Sequence, residues 1–332
     1  MKYQNILSDG KVQCTVCPRQ CVLLNNQEGF CLARKNVNGQ IKSTMYGVTT
    51  GIAIDPVEKK PLYHFYPTSK ALSFGTFGCN MGCKFCQNWQ FTKTSGDDSK
   101  IAPATPEQIV QIAKNYRCKS VAFTYNDPVV FLEYAIDTAK LCKEAGLKTI
   151  AVTAGYINPE PAKELFQYMD AANIDLKGFS NDFYQKNCFA NIEPVLETIK
   201  YAVKETNCWV ELTTMLIECE NDDSKEIQQE CEWILNNLGD TVPLHFSAFT
   251  PHYKFQNRRP TEFNTLLKAR QTALDAGIKY VYTGNLSTAE TSTTYCKNCG
   301  KPVLVRSNYS LVEHHLSGNK CTNCGTVCDG HF

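Results

Sequence analysis

From residue 71 onward the chain repeats one pattern: a short β-branched or aromatic run, a polar tip, then an amphipathic stretch of helical period. The apolar runs predict strands over 71–77, 120–125, 147–153, 171–176, 208–216, 242–248 and 279–284. The helices between them have readable ends. Thr105, with Pro106 at the first helical position and Gln108 beyond it, predicts a capping box, and Asn158 before Pro159 repeats the device. Gly146, Gly239 and Gly277 stand where C-terminal caps belong. Strands alternating with helices imply a parallel sheet with right-handed crossovers. The count predicts an α/β fold, a partial or nearly closed (β/α) barrel. No GxGxxG follows any strand, which removes an open dinucleotide-binding fold.

Length and charge change this picture little. At 332 residues the chain can bury one full-sized core with small additions. A net charge of +1 with no long basic run gives nucleic acid no footing as a partner. No apolar stretch reaches membrane-spanning length, and MKYQNILSDG lacks the apolar core of a signal peptide, so no membrane partner and a cytoplasmic location are expected. Cysteine changes the picture most. Eighteen of them, in a chain expected in a reducing compartment, read as metal ligands rather than disulfides.

Three of these follow the first predicted strand and its glycine turn: Cys79, Cys83 and Cys86, spaced Cys-x3-Cys-x2-Cys. Three thiolates on a short loop can hold three irons of a [4Fe–4S] cluster, whose usual protein ligation is four cysteines. The fourth iron is then open, as catalytic metal sites are. It can bind the amino nitrogen and carboxylate of S-adenosylmethionine, and an electron into the sulfonium releases a 5′-deoxyadenosyl radical. Half of a zinc site or a chance cluster is the competing account, weakened by the strand that leads into the loop.

In a (β/α) barrel, chemistry sits at the C-terminal ends of the strands. The predicted tips there carry Asn126 and Asp127, Thr153, Asp175 and Lys177, Glu211 with Thr213 and Thr214, His245 with Ser247, and Asn285. Each has a plainer account. Asp127 before Pro128 is also a good helix cap. Asp175 and Lys177 lie on one face of a strand, where they can form an internal pair, yet a buried lysine needs an anion, and the cofactor carboxylate would supply one. His245, between Leu244 and Phe246, can be a satisfied core histidine. Cys118, Cys142, Cys208 and Cys231 read as small apolar fillers, and Cys188 and Cys219 receive no role.

Two further cysteine groups flank the barrel. Cys14, Cys17, Cys21 and Cys31 form a closed set of four, suited to zinc, to another structural role or to a second iron–sulfur cluster. Cys296-x2-Cys299 and Cys321-x2-Cys324, each pair followed by glycine, have zinc-ribbon spacing. Cys328, His314, His315 and His331 are spare donors. The ribbon reads as a separate unit folded by its metal. Between the first group and the barrel, GVTTGIAIDPVEKKPLYHF carries Asp55, Glu58, Lys59, Lys60 and His64 and reads from its spacing as a solvated connector. The expected division is a cysteine-rich unit over 1–46, a connector over 47–70, the barrel over 71–292 and the ribbon over 293–332.

Taken together, CTVCPRQC with GFC downstream, DPVEKKPLYHF, GCNMGCKFCQNW, TYNDP, DLKGF, PLHFSAFTPHYK, YVYTGN and the terminal ribbon carry a resemblance. The chain resembles the radical S-adenosylmethionine enzymes of the AmmeMemoRadiSam system, relatives of pyruvate formate-lyase activating enzymes. The resemblance implies the cluster at Cys79, Cys83 and Cys86, and cofactor contacts from the TYNDP tip, Asp175, Lys177 and His245. It also implies a reductant such as ferredoxin or flavodoxin, and AmmeMemo partner proteins. Two positions depart from the family: Asp127 where glutamate is usual, and Ala154 where asparagine is usual. Hydrogen abstraction from a peptide, protein or small molecule is the expected activity. Glycyl-radical enzyme activation is the alternative within the class, and a non-catalytic zinc scaffold the alternative outside it.

Overall fold

The computed structural model describes residues 2–95 and 102–332. All of the expected strands form: β2 (Lys70–Phe74), β3 (Ser120–Phe123), β4 (Lys148–Thr153), β5 (Ala171–Asp175), β6 (Trp209–Leu216), β7 (Leu244–Ala248) and β8 (Val281–Gly284). They pair in parallel, each with its neighbour in sequence. Helices cover the outside, among them α1 (Pro106–Asn115), α2 (Leu132–Glu144), α3 (Pro159–Phe166), α4 (Glu193–Glu205), α5 (Ser224–Asn237) and α6 (Phe263–Ala276). Strands buried on both faces read as unbroken apolar runs, which is why the sequence shows them so clearly. All four residues of β3 are buried. Cys118, Cys142, Cys208 and Cys231 are buried as well, as fillers should be.

An eighth strand, β1 (Ile52–Pro56), lies antiparallel on β2, from Ile52 opposite Phe74 to Pro56 opposite Lys70. The sheet therefore runs β8 to β1 in reverse order of sequence. Among the described residues no pairing joins its two edges, so the barrel is partial.

Not every expected helix end forms as read. Thr105 and Gln108 form the reciprocal capping box, and Gly277 closes α6 at a φ of 118°. Asn158 precedes α3, but its side chain makes no cap bond. Its Nδ2 donates instead to the Thr15 carbonyl at 2.8 Å, tying α3 to the N-terminal unit.

The solvated connector is overturned. Glu58, Lys60 and His64 are all buried. β1 extends the sheet, and the turn after it is covered by the C-terminal unit. His64 Nδ1 lies 2.6 Å from the Asp329 carbonyl and its Nε2 2.6 Å from Tyr282 Oη. Glu58 Oε1 accepts from the Thr68 amide at 2.7 Å.

The ribbon is likewise not a body apart. Its strands Thr294–Tyr295, Pro302–Ser307 and Ser310–His314 form an antiparallel sheet. Val303, Leu304 and Leu316 share one apolar cluster with Tyr63, Tyr280 and Tyr282. Arg306, fully buried, donates to the Tyr63 carbonyl at 2.6 Å and to Thr294 Oγ1 at 2.9 Å. At the other end, Gln4–Ile6, Val12–Cys14 and Val22–Leu23 make a small sheet, whose Val12 and Leu23 join the main core. No helix among the described residues is long and apolar enough to cross a membrane.

Candidate functional site

Parallel strands in sequential order bring their C-terminal ends to one edge. There, Cys79, Cys83 and Cys86 line one cavity of about 310 Å³ with Asp127, Lys177 and His245. The loop that carries the cysteines is held by Asn126. Its Oδ1 accepts from the Thr76 amide at 3.1 Å, and its Nδ2 donates to Thr76 Oγ1 at 2.9 Å and to the Gly78 carbonyl at 3.0 Å. Gly78 has a φ of 80°, and a Cβ there would lie 2.0 Å from the Cys31 carbonyl oxygen, so only glycine fits.

The sulfurs are surrounded by groups that favour thiolate. The Met81 amide lies 3.4 Å from Cys79 Sγ, and Thr92 Oγ1 lies 3.2 Å from Cys86 Sγ. Burial pushes the Cys79 and Cys86 thiols up. Cys83 goes the other way, down to about 6, because the Cys188 thiol donates to it, with Lys177 and Lys93 adding favourable charge. Burial, and the proton it keeps in that bond, hold Cys188 well above the ordinary thiol range. Metal ligation requires all three as thiolates, and a bound cation would supply the charge that offsets the burial at Cys79 and Cys86. The donor set fits three corners of an iron–sulfur cluster.

The other expected residues fall into two groups. Asp127, Asp175, Lys177 and His245 reach the cavity. Asp127 is buried, and Oδ1 accepts from the Val129 amide at 3.0 Å and Thr153 Oγ1 at 2.9 Å. Its Oδ2 accepts from the Ala154 amide at 2.9 Å. Asp127 is not the cap of α2, which begins at Leu132 behind Phe131 with no side-chain cap bond; its carboxylate instead braces the turn after β3 while it lines the cavity. Burial outweighs these donors and holds the Asp127 carboxyl above its usual range. Thr153 does not line the cavity; it stands behind Asp127 and fixes it. Asn126 does line it, but its amide is committed to the cysteine loop.

Lys177 Nζ lies 2.8 Å from Asp175 Oδ2. Burial alone would lower its pKa, but Asp175 and the Cys83 sulfur outweigh that and hold it well above the ordinary lysine value. His245 Nε2 lies 2.7 Å from Glu211 Oε2. Glu211 is fully buried and also accepts from the Tyr63 amide at 2.9 Å, the His64 amide at 2.8 Å and Trp209 Nε1 at 3.0 Å. Burial would raise the Glu211 pKa; the bond to His245 outweighs it and holds this carboxyl below its usual range. The connector thus forms the cavity floor.

Several participants escaped the sequence. Lys93 lines the cavity and donates to the Met81 carbonyl at 2.7 Å. Its signal was faint: a lysine within one helical turn of the loop. Glu58, Tyr63 and Tyr309 also line the cavity. The block DPVEKKPLYHF held the signal for the first two, masked by its charges. Nothing local marks Tyr309 or Cys188.

The ribbon cysteines come together as expected. Cys296 Sγ lies 3.6 Å from Cys324 Sγ, and Cys299 Sγ 3.9 Å from Cys321 Sγ. All four sulfurs lie within 4.8 Å of one another. A zinc tetrahedron with bonds near 2.3 Å separates its sulfurs by about 3.8 Å. Cys324 is lowered to about 6 by hydrogen bonds from the Thr326 hydroxyl and amide. Cys328, His314, His315 and His331 stay outside the set. The N-terminal four, Cys14, Cys17, Cys21 and Cys31, line a second, smaller cavity with Arg34 and Asn80.

A partial (β/α) barrel with three cysteines at its mouth defines a class of metal-dependent radical enzymes. Residues 74–231 match the model of the radical SAM superfamily. The chain is 41% identical over 97% of its length to uncharacterized protein MJ0808 of Methanocaldococcus jannaschii, covering 96% of that protein. It is 27% identical to the pyruvate formate-lyase-activating enzyme of Clostridium pasteurianum, over 32% of this chain and 46% of that one. Its fold is similar to a radical SAM methyltransferase from Sphaerobacter thermophilus, with a TM-score of 0.52 and 17% identity over 66% of this chain and 67% of that one. The chain belongs to the radical SAM superfamily and is an enzyme of that class.

Proposed function

We propose that Cys79, Cys83 and Cys86 hold three irons of a [4Fe–4S] cluster and that S-adenosylmethionine binds in the cavity beside them. One observation carries this: the three sulfurs share that cavity with Asp127, Asp175, Lys177 and His245. When bound, the cluster supplies the electron that cleaves S-adenosylmethionine to a 5′-deoxyadenosyl radical, which abstracts hydrogen from the substrate. The chain's own residues bind and orient. Lys177 offers its ammonium to the cofactor carboxylate while Asp175 steadies it. Asp127 accepts from the cofactor amino group with the lone pair that the Ala154 amide leaves on Oδ2. Ala154 contributes no side-chain bond. Glu211 fixes the ring of His245 against the cavity wall. The Met81 amide and Thr92 hydroxyl stabilise the thiolates.

In this proposal 71–292 carries the radical chemistry, 47–70 its floor, and 1–46 and 293–332 hold metals, with zinc in the ribbon. A ferredoxin or flavodoxin supplies electrons in the cytoplasm. The substrate is a peptide, protein or small molecule presented by AmmeMemo-type partners. Similarity to the Clostridium pasteurianum activating enzyme favours a second reading, activation of a glycyl-radical enzyme.

Replacing Cys83 with alanine tests the assignment. Anaerobically prepared Cys83→Ala should lose the iron of this site and all 5′-deoxyadenosine formation while keeping its circular dichroism. Cofactor cleavage by that variant at the wild-type rate would remove the loop from the chemistry.

A further inference from the structure

The chain contains two sets of four cysteines, and their geometries differ. The ribbon set draws all its sulfurs within 4.8 Å, the packing a single shared ion demands. Among the described residues no other group of cysteine, histidine or acidic side chains is drawn so close. Cys14, Cys17, Cys21 and Cys31 are therefore more widely set, although they line one cavity. The three cysteines of the central loop share that wider setting. In a cubane cluster each thiolate binds its own iron at a separate corner, so the sulfurs stand farther apart than four sharing one ion.

We propose that Cys14, Cys17, Cys21 and Cys31 hold a second [4Fe–4S] cluster, closed by four protein thiolates. Three further observations support it. Cys21 Sγ and Cys31 Sγ each lie 3.8 Å from the point a Cβ on Gly29 would occupy, so sulfurs ten residues apart in sequence converge on one spot. The amides of Val16, Arg19 and Ala33 donate to Cys14, Cys17 and Cys31, the pattern that stabilises bound thiolates.

The third observation is Arg34. It is 3% exposed and lines the same cavity. Its Nη1 and Nη2 are committed to Glu133 at 3.0 and 2.7 Å. Its Nε has no partner, although it is buried. A buried N–H left unpaired is costly, and a cluster thiolate or sulfide is an acceptor that would satisfy it. The remaining wall includes Val16, Leu23, Val129 and Val130, which keep water out. The site adjoins the central loop: Asn80, which follows Cys79, lines it too, and the Cys31 carbonyl packs on Gly78.

This inference stands apart from the reading of the central loop, and metal counting separates them. The full chain carrying Cys79→Ala, Cys83→Ala and Cys86→Ala should be prepared anaerobically and supplied with iron and sulfide. It should hold about four irons and about four sulfides per chain, beside about one zinc. Adding Cys17→Ser should then remove the iron and leave the zinc. Iron-free variant protein with either one or two zincs would overturn the proposal. Should the triple variant fail to fold, the wild type decides: about eight irons and one zinc support it, and about four irons and two zincs overturn it. Equal iron in the wild type and the triple variant would leave this cluster standing and sink the central one.

Discussion

Lys177 is a largely buried cation with Asp175 at 2.8 Å, and the cavity it faces also holds Asp127. If its work is structural, replacing it strands a carboxylate and destabilises the protein. If it receives the cofactor carboxylate, Lys177→Met should weaken S-adenosylmethionine binding roughly ten- to hundredfold, since such bonds contribute about 1.5–3 kcal/mol. Anaerobic titration beside thermal unfolding of the apo protein separates the two. Unchanged affinity with a large loss of apo stability would take Lys177 out of the site. Glu230, on α5, makes a purely structural prediction. It is buried against Thr214, whose hydroxyl donates to it, and burial pushes its pKa up to about 8. A carboxyl raised in the folded state contributes its full stability below its unfolded pKa, and that contribution drains away as pH rises towards 8. Glu230→Gln keeps the bond to Thr214 and removes the titration. It should stabilise the protein by about 2–3 kcal/mol at pH 7, and by little near pH 4.5. Urea unfolding at several pH values measures this; a gain independent of pH would contradict it.

At the scale of elements, legibility follows range. The parallel strands, the capping box at Thr105 and the cysteine loop were readable because each is written in consecutive residues. The tips were readable because sequential parallel strands must end together. The segment holding Glu58 and His64 was misread for the opposite reason. Its charges look solvated, but the groups that bury them are remote: Glu211 lies 147 residues from His64, and Asp329 lies 265 residues from it. Periodicity reports local faces, not partners at that distance. Thr153 and Asn126 show a subtler limit. Sequence placed them at strand tips correctly, but only coordinates distinguish a side chain that faces the cavity from one that braces its neighbour.

At the scale of the whole molecule the ribbon is a structural member of the barrel. Arg306 anchors the Tyr63 carbonyl, and Tyr63 lines the cavity. Loss of the zinc proposed for the ribbon should therefore be felt in the floor. Cys299→Ser should release the ribbon zinc, leave the iron in place and render the chain cleavable by trypsin after Lys59. A ribbon that is digested while Lys59 stays protected would show that the two are uncoupled.

The same anchoring sets an order in time. Ribosomes make the floor segment early, yet the Asp329 carbonyl that bonds His64 follows it by 265 residues. At 5–20 residues per second that interval is on the order of ten to fifty seconds. Within it the amides of Tyr63 and His64 can meet Glu211 once β6 emerges, but His64 and Glu58 have no lid until the C-terminal unit follows. Only over the last stretch, from Gly284 to Asp329, does a nascent chain carry a finished barrel with an unfinished floor. Chains that stop before Arg306 lack the anchor on the Tyr63 carbonyl and should be more protease-sensitive at the floor than the full chain.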